Sequence, residues 1–195
     1  MRVLKISTTI ALACLALSGC AAISSAPAGP LKVGDASVTL GREWSNISAI
    51  APNRSKKVVL LSIDGPALNR LYVSDALAPG DFLVRPASKQ QPTPVVRADM
   101  SASERIEFVA DSVAAMDYQR VQVVRPRPAK FDGRSAVRFD LTALTSDGLE
   151  ISGTALVAES DGRTHVMIYL APAEYYFSAY LPEVEQVFAS AGAAG

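Results

Sequence analysis

The stretch that decides the fold runs from Phe131 to Leu170 and reads FDGRSAVRFDLTALTSDGLEISGTALVAESDGRTHVMIYL. Asp-Gly pairs recur in it at Asp132-Gly133, Asp147-Gly148 and Asp161-Gly162. Asp-Gly between alternating runs is the strongest short-range hairpin signal, because both residues tolerate positive φ. The pattern therefore predicts an antiparallel meander of four strands, at Val121 to Val124, Ser135 to Leu144, Leu149 to Ala158 and Thr164 to Leu170.

Alternation along the second of these strands predicts which face is buried. Val137, Phe139 and Leu141 alternate with Arg138, Asp140 and Thr142. Successive side chains of a strand point to opposite faces of the sheet. We therefore expect one buried face and one wetter face, and we interpret the Asp-Gly pairs as turn residues rather than metal ligands.

Further elements lie on either side of the meander. The apolar run Val58 to Ile63, followed by Asp64-Gly65-Pro66 and by Leu68 to Val73, predicts a buried hairpin. Val33 to Leu40 is a candidate first strand, and Trp44 after it a candidate core residue. Two helices are predicted: Ser101 to Tyr118, with a capping box at Ser101 and Glu104, and a last helix from Pro182 to about Ser190.

This order of elements predicts an α+β fold in which one antiparallel sheet, the hairpin plus the four-strand meander, is packed by two helices. It resembles the α/β/α sandwich of PsbP-like proteins, which include photosynthetic accessory subunits and lipid-anchored bacterial proteins. The resemblance is one of element order and supplies no catalytic residue.

The N-terminus carries a targeting signal. Arg2 and Lys5 precede an apolar run from Ile6 to Leu17, which is too short for a bilayer span of about 20 residues. Leu17-Ser18-Gly19-Cys20 follows and resembles the lipobox of bacterial lipoproteins. That resemblance implies removal of the leader and attachment of fatty acyl chains such as palmitate to Cys20. A plain secretory signal with a chance cysteine is the alternative.

The same resemblance predicts location and domain organisation. Ala21 stands where an Asp favours inner-membrane retention, so we expect a lipid-anchored cell-envelope protein on the outer membrane, facing the periplasm. The predicted divisions are a signal peptide at 1–19, a flexible tether at 20–32, rich in Ala, Ser, Gly and Pro, and a single α+β domain at 33–191.

Charge and cysteine usage narrow the function classes. Nineteen basic residues balance nineteen acidic ones, so the basic footprint of a nucleic-acid-binding domain is absent from the composition. The two cysteines are Cys14, in the leader, and Cys20. We therefore expect no disulfide within the mature chain.

The sequence carries little that predicts catalysis. His165 is the single histidine, and it lies on a predicted strand, where a surface or edge role is expected. The sequence lacks a phosphate-binding glycine loop, a nucleophile elbow and a zinc-ligand spacing. We expect no cofactor and no metal. The alternative is a small periplasmic hydrolase or isomerase that uses His165, or the carboxylates Asp140 and Glu150 if these lie close together on neighbouring strands.

The favoured hypothesis is a non-catalytic domain that binds an envelope partner or ligand. The proline-rich stretch Ala78 to Ala98 is a long predicted loop, and such loops are often functional. The predicted contact residues are Phe82, Arg85 and Arg97 in that loop and Tyr169, Tyr175 and Tyr176 near the last strand. A structural accessory without any pocket is the third hypothesis. The basic tip from Asn53 to Lys57 is interpreted as a solvated turn, with contact to anionic headgroups or to a partner as the alternative.

Overall fold

The computed structural model describes residues 23–193 except Pro52 and Ala87. The predicted leader and the predicted lipidation site Cys20 lie outside the described residues. The two helices are α1 (Ala102–Ala114) and α2 (Tyr176–Ala189). The strands are β1 (Ser24–Ala26), β2 (Gly29–Val33), β3 (Ala36–Leu40), β4 (Trp44–Asn46), β5 (Val58–Ser62), β6 (Arg70–Ser74), β7 (Gln119–Phe131), β8 (Arg134–Leu144), β9 (Glu150–Ser160), β10 (Arg163–Pro172) and β11 (Gly192–Ala193).

A central sheet of eight strands has the order β1-β4-β5-β6-β10-β9-β8-β7, and every neighbouring pair is antiparallel. The predicted meander is confirmed as β7 to β10, and the predicted hairpin is confirmed as β5 and β6. Pairing of Met167 with Val73 joins the hairpin to the last strand of the meander. A second sheet of three strands has the order β11-β3-β2.

Two of the three Asp-Gly pairs form the predicted tight turns. Asp132 and Gly133 have φ values of 49° and 71°, and Asp161 and Gly162 have 55° and 71°. Positive φ at both central residues is the backbone of a type I′ hairpin turn. Asp147-Gly148 lies in a longer turn that is closed by Thr145, whose Oγ1 accepts a hydrogen bond from the backbone N–H of Leu149 at 2.9 Å.

Helix α1 covers one face of the central sheet. Its predicted capping box is confirmed: the Ser101 side chain accepts from the backbone of Glu104, and the Glu104 carboxylate accepts from the backbone N–H of Ser101 at 2.8 Å. Phe108, Val109 and Val113 are buried in a core to which β5, β6, β8, β9 and β10 also contribute side chains.

Helix α2 and the small sheet cover the other face. Val184, Val187 and Phe188 of α2 pack there with Trp44, which is 1% exposed and is confirmed as a core residue. The helix begins at Tyr176, earlier than predicted, so Pro182 lies inside it rather than at its start. Proline lacks the N–H for one hydrogen bond of the helix, and packing of the apolar stripe on the sheet offsets that loss.

The expectation of a wetter face on β8 is only partly met. Thr142 is exposed, but Arg138 and Asp140 are only 9% and 8% exposed, because α2 lies over them. Arg138 and Asp140 therefore belong to a second buried layer. The α/β/α sandwich predicted from the element order is present.

The predicted flexible tether is also wrong over most of its described length. Residues Ser24–Ala26 pair with β4, and Gly29–Val33 form the first strand of the small sheet. Ala26 and Val33 are each 4% exposed. The small-residue composition did not predict these strands, because they contain no hydrophobic run. They are held instead by backbone pairing and by two buried side chains. The predicted first strand, Val33 to Leu40, is in fact the end of β2, a turn at Gly34 and Asp35, and β3.

Candidate functional site

The predicted contact residues of the proline-rich loop lie on the α1 side of the sheet. Leu83 and Val84 of this loop are buried in the α1-side core. Phe82, which precedes them, is half-buried, and Arg85 is exposed. Arg97 is exposed and forms a salt bridge with Glu104 through Nη2 and Oε1 at 2.7 Å. These three side chains therefore belong to the rim of one face.

The predicted tyrosines lie on the opposite, α2 side. Tyr169 is 0% exposed, donates its hydroxyl to the backbone carbonyl of Tyr176 at 2.9 Å, and stacks on Phe177. It is a core residue and is not available to a partner. Tyr175 is 64% exposed and contacts the half-buried Tyr176 edge to face. The sheet separates this corner from the loop, so the six predicted residues do not form one site.

His165 is neither at the surface nor at an edge, which corrects the sequence interpretation. It lies on β10, between β6 and β9, and is 7% exposed. Its ring stacks on Phe131 with centroids 4.5 Å apart, and its Nδ1 has no hydrogen-bond partner among the described residues. Burial lowers the pKa of this imidazole. Enclosed against a phenyl ring, His165 lacks the open approach that a general base needs.

Asp140 and Glu150 do not form the carboxylate pair considered from the sequence. Asp140 is opposite Thr154 on the neighbouring strand, and Glu150 is opposite Leu144. Four residues along a strand separate the two carboxylates by about 14 Å. The alternative of catalysis by this pair therefore loses its geometric basis.

Arginines neutralise Asp140 instead. Arg125 Nε lies 2.8 Å and Arg127 Nη1 3.1 Å from its Oδ2. Burial acts to raise the pKa of Asp140, but hydrogen bonds from Arg127 and Thr154 and the charge of Arg125 hold it below its ordinary value. Arg138 pairs with Glu185 rather than with Asp140. These charges compensate one another, and Asp140 stays an ionised structural group.

A cleft that the sequence did not predict opens on the α1 side, at the end of α1 and over β5 and β6. Its volume is about 250 Å³. Two groups of side chains line it. The apolar ones include Ile47, Ile50, Leu60, Val84, Ala115 and Met116, and the polar ones are Asn53, Arg54, Arg70, Tyr72 and Asp117. An apolar cavity with a few convergent polar groups is the usual form of a small-ligand site.

Local structure positions each arginine of the cleft. Arg54 lies on the short bridge to Val84, and its Nε and Nη1 donate to the backbone carbonyls of Ser48 and Ser55 at 3.0 and 2.8 Å. Arg70 begins β6, donates from Nε to the carbonyl of Pro66, and donates from Nη1 to the Tyr118 hydroxyl at 3.2 Å. Within residues 23–193 as described, neither guanidinium forms a salt bridge.

Two tyrosines lie beside Arg70, and one of them, Tyr72, lines the cleft. The pKa of Tyr72 is raised to about 12, chiefly by burial. Burial also raises the pKa of Tyr118. Burial acts to lower the pKa of Arg70, but Tyr72 and Tyr118 outweigh it and leave that pKa above its ordinary value. At neutral pH the lining therefore includes the neutral phenol of Tyr72 beside the cation of Arg70, while the neutral Tyr118 holds that guanidinium in place.

Of the residues that line the cleft, only those in the basic tip were noted from the sequence. Arg54 lies in the basic tip that was noted from the sequence, but Arg70 and Tyr72 stand on a strand far from it in the chain. The end of α1 reaches them only because the helix crosses the sheet. Spacing along the sequence could not have joined these residues.

No group of three or more His, Cys, Asp or Glu in the described part of the chain is placed to hold a metal ion. Neither described helix is long and apolar enough to cross a membrane.

The architecture is that of a PsbP-like α+β sandwich, and the cleft lies on its α1 face. No protein family matches the sequence, and no curated protein matches it. Solved structures do match in shape. Cyanobacterial PsbP (CyanoP) from Synechocystis sp. PCC 6803 shares 14% identity over 91% of this chain and 95% of its own, with a TM-score of 0.55.

Two other structures extend this comparison. The Ran-binding protein Mog1p of Saccharomyces cerevisiae shares 6% identity over 87% of this chain and 94% of its own, with a TM-score of 0.51. LpqN of Mycobacterium tuberculosis, described as involved in cell envelope biogenesis, shares 15% identity over 89% and 92%, but its TM-score of 0.37 is too low to carry an argument. The likenesses to CyanoP and Mog1p show the fold alone.

Proposed function

We propose that this chain is a lipid-anchored cell-envelope domain that binds a ligand or partner without catalysis. The observation that carries the proposal is the cleft at the end of α1, which combines an apolar wall with two guanidiniums that form no salt bridge to a described residue. A buried or half-buried cation without a counter-ion is costly, and a bound group relieves that cost.

Two further observations support the proposal. The lipobox-like stretch Leu17 to Cys20 predicts the anchor, and two or more acyl chains hold a protein stably on a membrane. The fold is also used for binding elsewhere, since Mog1p is named a Ran-binding protein. The proposed place is the outer membrane, facing the periplasm, with Cys20 as the attachment point.

The anchor is tested by metabolic labelling with an alkyne fatty acid, followed by membrane fractionation. We expect the natural chain to be labelled and to sediment with outer membranes, and Cys20→Ala to lose both the label and the sedimentation. Continued labelling of Cys20→Ala contradicts the anchor. Labelling with inner-membrane sedimentation contradicts only the proposed place.

The binding site is tested by photo-cross-linking in living cells. A photoreactive amino acid replaces Ile50, which is 42% exposed and lines the cleft, or Tyr175, which is 64% exposed on the opposite face. We expect one dominant adduct from position 50 and none from position 175. An adduct from position 175 alone would place the binding site on the α2 side, at Tyr175 and Tyr176, instead of in the cleft. Adducts from neither position contradict the proposed binding function.

A further inference from the structure

We infer that the cleft binds a single-chain amphipathic anion, with its carboxylate or phosphate against Arg54 and Arg70 and its apolar chain against the end of α1. This inference deepens the proposed binding function and rests on it. It follows from the combination of guanidinium groups and apolar surface within the cleft and from the position of the cleft relative to the start of the described chain.

The apolar part of the cleft suits a hydrocarbon chain. Ile47, Leu60 and Val84 of its lining belong to the buried α1-side core, and Met116 packs against that core. Methionine is unbranched and flexible and adapts to ligands of irregular shape. A volume of about 250 Å³ is the space of roughly eight water molecules, which suits a short or partly inserted chain rather than a large polar ligand.

The polar part of the cleft suits an anion. Arg54 donates from Nε and Nη1 to backbone carbonyls, and its Nη2 forms no hydrogen bond to a described residue. Arg70 donates to the carbonyl of Pro66 and to the hydroxyl of Tyr118, and the hydroxyl of Tyr72 lies beside its guanidinium. Guanidinium groups bind carboxylate and phosphate through paired N–H donors. Asp117 is the single acidic residue of the lining, so the two arginines leave an excess positive charge.

The end of α1 favours the apolar part of the ligand over its anionic group. The C-terminus of a helix carries a partial negative charge, which disfavours an anion beside it. Ala115, Met116 and Asp117 occupy this end of the cleft. An anionic group therefore contacts the guanidiniums of Arg54 and Arg70 rather than the backbone at the end of α1, where Ala115 and Met116 offer apolar surface to the chain.

The start of the described chain places the cleft beside the proposed membrane anchor. Ser24 pairs with Asn46 at the edge of the sheet, and the next residue after Asn46 is Ile47, which lines the cleft. Neighbouring strands are about 4.8 Å apart. Cys20 precedes Ile23 by three residues, so its proposed acyl chains attach within about 10 Å of Ile23 along the chain. A membrane is the nearest source of amphipathic anions.

The test uses the mature chain, residues 20–195, with Cys20→Ser so that no acyl chain of its own competes. Binding of decanoate, decyl phosphate, decanol and inorganic phosphate is measured by calorimetry below the micelle concentrations. We expect decanoate or decyl phosphate to bind at least about tenfold more tightly than decanol or phosphate. The stronger of the two distinguishes a fatty-acid source from a phosphate headgroup. Equal binding of decanol, or no binding of either anion, overturns the inference.

Variants locate the ligand within the cleft. Arg70→Gln removes one charge and is expected to weaken binding of the better anion at least tenfold. Arg70 also has structural contacts, so two variants at the exposed rim residue Ile50 provide a test that does not disturb the interior. Ile50→Glu is expected to weaken binding of the anion, and Ile50→Lys is expected to leave it equal or tighter. Tyr175→Glu on the opposite face is the control and is expected to change nothing.

The outcomes separate this inference from the proposed function. If Ile50→Glu and Ile50→Lys behave alike, the ligand is not held by charge in this cleft and the inference is overturned. A protein adduct from position 50 in cells, with no binding of decanoate or decyl phosphate, overturns the inference but leaves the binding function standing. Absence of both contradicts the two together.

Discussion

Arg70 donates a hydrogen bond from Nη1 to the hydroxyl of Tyr118 at 3.2 Å and thereby ties the first residue of β6 to the connection between α1 and β7. The two residues are 48 positions apart in the chain. This contact closes one side of the cleft, because Arg70 and the end of α1 both line it. It links the stability of the domain to the shape of the proposed binding site.

Removing the hydroxyl of Tyr118 tests that link. We expect Tyr118→Phe to lower the free energy of unfolding by about 1 kcal/mol, because Arg70 loses a hydrogen-bond partner while the aromatic packing remains. Urea denaturation followed by circular dichroism measures the change. Tyr175→Phe, at an exposed ring, is the matched control and is expected to change the free energy by less than about 0.5 kcal/mol. Equal losses in the two variants would count against a structural role for the contact.

Alkaline pH is expected to unfold the protein in part through Tyr72. Burial raises the pKa of this residue to about 12 from an ordinary value of 10.0, so the folded state holds the proton more tightly than the unfolded state. Such a group stabilises the fold fully below pH 10, and that contribution is lost as the pH rises from 10 to 12. We expect Tyr72→Phe to flatten the fall of the unfolding free energy across this window. An unchanged slope contradicts the assignment.

The ion pair between Arg138 and Glu185 joins the sheet to α2. Arg138 also donates to Thr154 Oγ1 at 3.1 and 3.2 Å and lies over the ring of Phe188 at 4.7 Å. Its side chain is 11% exposed and that of Glu185 47% exposed, so solvent screens part of the attraction. We expect Glu185→Ala to cost about 1 to 3 kcal/mol, because it leaves a nearly buried charge without its counter-ion.

Two comparisons make the ion-pair measurement specific. The double variant Arg138→Met with Glu185→Ala is expected to recover part of the loss, since no uncompensated charge remains. Arg97→Ala removes one half of a pair whose side chains are 63% and 41% exposed, and is expected to cost less than about 0.5 kcal/mol. A loss from Arg97→Ala as large as that from Glu185→Ala would contradict the dependence on burial.

Gly153 is expected to tolerate no side chain. It lies in β9 between Leu141 and Leu170, and a Cβ added there would be 2.6 Å from Leu170 Cδ2 and 3.1 Å from the carbonyl oxygen of Tyr169. We expect Gly153→Ala to cost about 1 to 3 kcal/mol through overpacking at the centre of the sheet. Gly192→Ala is the control, because its added Cβ would meet nothing closer than 3.4 Å. Thermal denaturation of both variants measures the difference.

The sequence by itself determined the local elements. Asp-Gly turns, alternating apolar residues and the Ser101–Glu104 capping box depend on contacts between neighbours in the chain, so the meander, the hairpin and α1 were predictable. The PsbP-like element order followed from them. The lipobox-like stretch ending at Cys20 is likewise a property of consecutive residues, and it remains a prediction because the described residues begin at Ile23.

Only the tertiary structure decided which faces are buried and where a site lies. Ser24–Ala26 and Gly29–Val33 became strands because partner edges were available to them, although their composition favoured a tether. Arg138 and Asp140 became buried because α2 crosses above them. The cleft unites Arg54, Arg70 and Met116, and such a meeting depends on the sheet order and on the path of α1. Long-range packing, unlike a turn or a cap, leaves no signal in the spacing of residues along the chain.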